Sequence, residues 1–344
     1  MDLPPNLLEL PADESARLIA LRLLDDVVAA RLRLGRPEDE EALHHFRVAL
    51  RRLRSALRAW RVQLDPAVSG RIRRRLRDIA QATSRSRDLE VHIAWVKSRA
   101  DGLRDYQRAG ADWMLARLES RKARADRRLE RRLARDFART EAKLRTALPG
   151  IRVTFVAPPG VPPAETGGAV LGRLLGELGA GLAAQVALVR SIADQVEAHR
   201  ARIAGKRLRY LLEPVSAHVE GGPAIIARLK ELQDVLGGLH DAHVFAGDLA
   251  RALQVAALQQ ARRASRELLA WTEPEATVRD PEPGEDDPRL GLAALAHRLR
   301  VEAEASYATL RSQWLDGGAA ALLADVDALA RRLALPHAPA AHAG

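Results

Sequence analysis

From Glu14 onward, apolar residues recur three or four positions apart through Leu18, Leu21, Leu24, Val28 and Leu32, up to Gly35-Arg36-Pro37. That period predicts a first helix of about 20 residues, closed by a glycine and a proline. A second helix is expected from near Glu38, with Leu43, Phe46, Leu50, Leu53, Leu57 and Leu64 on its core face. Asp65-Pro66 breaks the pattern, and a third helix is expected from Pro66 to about Gln81 with Val68, Ile72, Leu76 and Ile79 inward. The polar run Thr83-Ser84-Arg85-Ser86 reads as a turn into a fourth helix opened by Arg87-Asp88-Leu89 and ending near Arg99. A long charged helix, broken or bent, is expected over Leu103–Ala147, its Arg121–Arg135 stretch a solvated face with helical ion pairs.

Pro149-Gly150 and the run Pro158-Pro159-Gly160-Val161-Pro162-Pro163 read as a linker. Periodicity resumes at Val170 with Leu174, Leu178, Leu182, Val186 and Val189. Further helices are expected at about Asp194–His218, Pro223–Leu236 and Asp241–Trp271, then Leu290–Leu315 and Gly318–Leu333. Thr272–Pro288, rich in Pro, Asp and Glu, reads as an exposed acidic loop. Only the short Ile151–Val156 segment alternates as a strand would. The chain is expected to be all-α, two helical bundles related by an internal pseudo-two-fold repeat: residues 1–148 the first, 149–166 a Pro-rich linker, 167–335 the second, 336–344 a disordered tail.

The repeat is read from the residues. His44-His45-Phe46-Arg47-Val48-Ala49-Leu50-Arg51-Arg52-Leu53-Arg54 returns, 155 positions later, as His199-Arg200-Ala201-Arg202-Ile203-Ala204-Gly205-Lys206-Arg207-Leu208-Arg209. Arg75-Leu76-Arg77-Asp78-Ile79 likewise matches Arg228-Leu229-Lys230-Glu231-Leu232, and Arg87-Asp88 matches His240-Asp241. Asp88 and Asp241 read as helix N-caps or as partners orienting nearby arginines.

Charge now changes the picture. The 344 residues carry 55 Lys+Arg against 45 Asp+Glu, a net charge of +10. All the cations but Lys97, Lys122, Lys143, Lys206 and Lys230 are arginine, so recognition is mostly by guanidinium. Such a balance attracts polyanions: nucleic acid, anionic membrane or polyphosphate. At helical spacing His44, Arg47, Arg51, Arg54 and Arg58 form one row beside the apolar stripe. Like charges so placed repel by a few tenths of a kcal/mol per pair. A polyanion lying along the row relieves that repulsion, accepts forked guanidinium hydrogen bonds and releases counterions. His44 and His199, one turn before Arg47 and Arg202, are placed to donate to phosphate, more strongly when protonated; the alternative is a helix-start or packing role.

The absence of cysteine excludes thiolate metal sites and disulfides. The first residues, with Pro4, Pro5 and Pro11, do not resemble a signal peptide, and no apolar run approaches the roughly 18 residues a spanning helix needs. A cytoplasmic location without a membrane role is expected.

The segments His44-x-x-Arg47-Val48-x-x-Arg51-Arg52-Leu53-Arg54, Arg87-Asp88-Leu89-x-Val91, Lys206-Arg207-Leu208-Arg209-Tyr210-x-x-Glu213 and Leu229-Lys230-x-Leu232-Gln233-Asp234-x-Leu236-Gly237-x-x-x-Asp241 together resemble the CHAD domain, the conserved histidine α-helical domain. The match spans roughly Glu14–Leu333. The resemblance implies two pseudo-symmetric helical bundles, a basic cleft that binds inorganic polyphosphate, and association with polyphosphate granules or polyphosphate-metabolising enzymes. Family members often carry a triphosphate-processing CYTH domain, for which no acidic β-barrel pattern is seen. Departures are Gly205 opposite Leu50, the Pro-rich linker and the acidic loop. The expected polyphosphate-binding set is His44, Arg47, Arg51, Arg52, Arg54, Arg58, Arg77, Arg87, His199, Arg202, Lys206, Arg207, Arg209 and Lys230, with no catalytic residue, metal or cofactor. The rival readings are a non-specific nucleic-acid binder, against which stands the lack of an aromatic stacking cluster, and a metal-dependent phosphohydrolase suggested by His240-Asp241-x-His243 and by His44-His45, with Asp241 or Asp248 as the third ligand beside His240 and His243.

Overall fold

Helix α1 (Ala12–Arg33) and helix α2 (Ala42–Ala59) begin the fold where the apolar period places them. On α2, Phe46, Leu50, Leu53 and Leu57 are at most 1% exposed, each contributing roughly 2 kcal/mol by burial. Leu43, one helical step off that stripe, is only half-buried. The short helix α3 (Arg61–Leu64) ends at Asp65, which binds both Arg61 (3.2 Å) and Arg73 (2.6 Å). A computed structural model describes residues 2–34, 36, 38–39, 41–65, 67–151, 164–270 and 287–335. The expected linker run, most of the alternating segment, the acidic stretch up to residue 286 and the tail lie outside the described residues.

Two expected turns are absent. Helix α4 runs unbroken over Gly70–Ala100, through Thr83-Ser84-Arg85-Ser86. The polar side chains meet their needs within helical geometry. The Thr83 hydroxyl donates to the Ala80 carbonyl at 2.8 Å, and Ser86, fully buried, donates to the Asp126 carboxylate. Asp88 is therefore interior to a helix and caps nothing. After α5 (Asp105–Arg132), a π turn over Leu133–Phe137 leads into α6 (Ala138–Ala147), which is the expected break in the long charged helix. Phe137 from that turn meets Phe46 edge-on at 5.7 Å between ring centres.

Helix α7 (Gly167–Val186) starts from Thr166, whose hydroxyl accepts from the Ala169 amide at 3.2 Å. Its buried face matches the expected row only in part, at Val170, Leu182 and, just past the helix, Val189. Leu174, Leu178 and Val186 are half-buried, while Leu171, Leu175, Leu182, Gly168, Gly172 and Gly179 face inward. The sequence pattern alone could not separate these rows, because α7 is apolar on most sides. A Cβ on Gly172 would lie 2.6 Å from the Ala330 carbonyl oxygen and 3.0 Å from the Ala334 amide of α11 (Gly318–Ala334). Gly172→Ala should accordingly cost about 1–3 kcal/mol, read as a lower denaturation midpoint, because backbone rather than a flexible side chain blocks the new methyl.

Helix α8 (Gln195–Leu212) passes into a 3₁₀ turn over Glu213–His218. Helix α9 then runs over Gly222–Ala270, so Asp241, like Asp88, is mid-helix and not a cap. Helix α10 (Pro288–Leu310) and a second π turn (Arg311–Leu315) precede α11. Among the described residues there is no strand, only an isolated bridge between Pro11 and Thr166. The fold is all-α, as expected.

The chain divides into two compact units that do not follow its sequence halves. The first comprises Met1–Ser84, Arg128–Gly237 and Thr309–Gly344; the second comprises Arg85–Arg127 and Gly238–Ala308. In the first, α1 packs on α2, α7 on α8 and α11, and α2 on α8.

In the second unit, Asp248 is a buried hub. Its carboxylate receives Arg121 at 3.2 Å and Arg251 at 2.7 Å, with His92 Nδ1 at 3.5 Å. The His92 ring stacks on Phe245 at 4.2 Å, and Trp95 meets Phe245 edge-on. Burial alone would raise the Asp248 carboxyl, but His92, Arg251 and Arg121 together hold it well below the usual carboxylate range.

Candidate polyanion-binding site

The first unit brings the two repeated basic helices together. On α2, Arg51, Arg54 and Arg58 follow one another at helical steps of three and four, beside the buried stripe. Burial, then the charges of Arg77, Arg51 and Arg58, push the Arg54 guanidinium below its ordinary value. Arg77 projects from α4, and burial, then the charge of Arg58, lowers the Arg207 guanidinium of α8 too. Among the described residues, no carboxylate lies within ion-pair distance of Arg51, Arg54, Arg58, Arg77 or Arg207. Five guanidinium groups from three helices thus share one electrostatic neighbourhood. Since arginine stays protonated, the repulsion is present in the folded chain at every accessible pH, and an anion seated among these groups relieves it.

Two expected site residues have a different immediate occupation. Arg52 forms a forked pair with Glu213, Nε at 3.1 Å and Nη2 at 2.7 Å. Arg209 lies 3.9 Å from the same carboxylate and over the Tyr210 ring, 4.7 Å from its centre. The buried Tyr210 hydroxyl accepts from Arg209 at 3.0 Å and from Arg51 at 3.4 Å. Tyr210 and Glu213 stand in one of the segments that carry the family resemblance, but the sequence assigned them no role beyond the helical ion-pair spacing of Glu213 four positions after Arg209.

The remaining expected residues are distributed as follows. His199, Arg202 and Lys206 form a row on α8; burial, then Arg202 and Lys206, pushes the His199 imidazole below its ordinary value. Arg202 Nε lies against α9, 3.9 Å from where a Cβ of Gly237 would be. His44 is exposed at the start of α2 and meets His45 edge-on at 5.8 Å, and Arg47 is half-buried one turn later. Lys230 is exposed on α9. Arg87 belongs to the second unit, where it meets Glu90 at 3.1 Å.

Gly205 also finds its reason here. The Gln233 side chain from α9 lies over it, 3.8 Å from where a Cβ would be, and donates to the Gly205 carbonyl at 2.9 Å. A leucine like its counterpart Leu50 would take that space.

Burial pushes His243 below its ordinary value, and Asp248 is engaged by two arginines. Among the described residues, no group of three or more His, Asp or Glu stands where a metal ion could be held. Nor is any helix among them long and apolar enough to cross a membrane.

Comparison with solved structures finds the fold in several chains, among them these two. One is the crystal structure of the CHAD domain from the plant Ricinus communis, at a TM-score of 0.56 and 22% identity over 93% of each chain. The other is PptA from Streptomyces chartreusis, at a TM-score of 0.63 and 18% identity over 89% of this chain and 99% of that one. No curated protein matches the sequence. The family model of the CHAD domain matches residues 18–250, more than half the chain. With the helical architecture and the paired basic helices, that match makes the chain a member of the CHAD-domain family.

Proposed function

We propose that this protein binds inorganic polyphosphate non-catalytically, with the cluster of Arg51, Arg54, Arg58, Arg77 and Arg207 as the centre of the site. The carrying observation is five gathered arginines without a carboxylate among the described residues, in a family associated with polyphosphate binding. A chain of phosphates meets several forked donors at once, and each neutralised phosphate releases counterion, so affinity rises with chain length. The His199-Arg202-Lys206 row, with His44, Arg47 and Lys230, extends the basic surface. Residence in the cytoplasm on polyphosphate granules, and contact with polyphosphate-metabolising enzymes, belong to the same proposal.

Calorimetric titration with long-chain polyphosphate at two salt concentrations, with double-stranded DNA in parallel, tests it. Tight, salt-sensitive binding that prefers polyphosphate at matched phosphate concentration is the expected result. Equal or stronger binding to DNA would make the site a general polyanion surface, and no binding to either would end the proposal.

A further inference from the structure

The two basic helices are alike in sequence but not in their counter-charges. Adding the repeat offset of 155 to Arg52 gives Arg207, and adding it to Arg58 gives Glu213. Where α2 packs on α8, the Arg52–Glu213 pair follows that exchange, and Arg207 lies in the field of Arg58. One station is closed by a carboxylate, and its counterpart has an arginine in the carboxylate's place.

We infer that Glu213 is a built-in counter-anion, occupying at Arg52 and Arg209 the position that a ligand phosphate takes at Arg58 and Arg207. This rests on the proposed polyphosphate binding for the identity of the ligand, but not for the equivalence of the two stations. The carboxylate decides the ligand's course across the α2–α8 contact. It leaves one station open and neutralises the other, so the phosphate chain is drawn toward the Arg54 and Arg77 side. The forked geometry at Arg52 is the one guanidinium offers to carboxylate and phosphate alike. The Arg209 and Tyr210 contacts hold the closed station in a form an oxyanion could share.

The test compares Glu213→Gln and Arg58→Glu with the unaltered full chain, using tripolyphosphate as ligand and reading thermal midpoint and calorimetric stoichiometry. E213Q should melt lower without ligand, recover with tripolyphosphate through a larger upward shift than the unaltered chain shows, and take up one further equivalent. R58E installs the missing carboxylate opposite Arg207; it should melt no lower and bind tripolyphosphate about tenfold more weakly or less. If E213Q shows neither the larger shift nor the further equivalent, Glu213 is only a structural clamp and the inference fails. Should E213Q not fold, R58E decides, and unchanged affinity there overturns the inference. Gain of tripolyphosphate binding in E213Q by a chain that itself binds no polyphosphate would uphold the inference while ending the proposed function.

Discussion

Replacing Arg54 by glutamate is expected to weaken long-chain polyphosphate binding by about 100-fold or more, and Arg54→Met by about 10- to 100-fold. The neutral change removes charge-assisted hydrogen bonds worth roughly 1.5–3 kcal/mol. The reversal goes further: the new carboxylate repels the phosphate chain and neutralises Arg51, Arg58 and Arg77 where they converge. The same chemistry makes the stability effect run the other way. Arg54 is charged, largely desolvated and among like charges, so R54M, which keeps much of the apolar stem, should raise the midpoint of the unliganded protein. Relief of its two helical neighbours accounts for about 0.5–1 kcal/mol. A falling affinity with a rising midpoint separates a binding residue from a structural one, since loss of a structural arginine lowers both. The slope of log affinity against log salt should shrink by about 1 for the neutral variant. Arg331→Met, on α11 and paired with Asp327 at 3.1 Å, serves as the control and should leave affinity within about twofold. Equal losses at Arg54 and Arg331 would mean that net charge, not the cluster, does the binding.

The second large effect lies in the other unit. Asp248→Asn should destabilise the protein by about 2–4 kcal/mol, because it strips the counter-charge from Arg121 and Arg251 around a carboxylate only 6% exposed. The amide keeps the shape and some hydrogen bonding, so the cost is charge rather than a cavity. The pH dependence carries a definite sign. The carboxyl is held well below the usual range in the folded chain, whereas in the unfolded chain it titrates near about 3.9. Its stabilisation is therefore fully present above that pH and is lost as pH falls through the folded value. Unfolding midpoints of the protein and of D248N should differ most at neutral pH and converge below about pH 4. A constant gap across that range would show that packing around His92 and Phe245, rather than the carboxylate charge, accounts for the loss.

The candidate site was legible where chemistry coincides with helical spacing. The row Arg51, Arg54 and Arg58 follows from steps of three and four, and its repetition 155 residues later marked α8 as its companion. What the spacing did not tell apart is which arginines of the row are satisfied within the protein. Arg52 and Arg209 carry the same type and repeat as their neighbours, yet Glu213 engages both. That pairing joins residues 161 positions apart, and no local pattern encodes it. Arg77 was expected from the alignment with Lys230, but its place beside Arg54 depends on how α4 packs.

Helix content, the buried stripes of α2 and early α4, and the break in the charged helix were determined by the sequence itself. Each depends on the period of side chains along one helix, which is a local property. The unbroken courses of α4 and α9 were decided only in three dimensions. Thr83-Ser84-Arg85-Ser86 has the composition of a turn, but Ser86 finds Asp126 forty residues away, and that bond removes the reason to leave the helix. The inward face of α7 was likewise decided by the close approach of α11 at Gly172, since an almost wholly apolar helix has no preferred side until a partner supplies one. Local periodicity thus set the elements, and contacts distant in the chain chose their faces, their ends and which charges were left for a ligand.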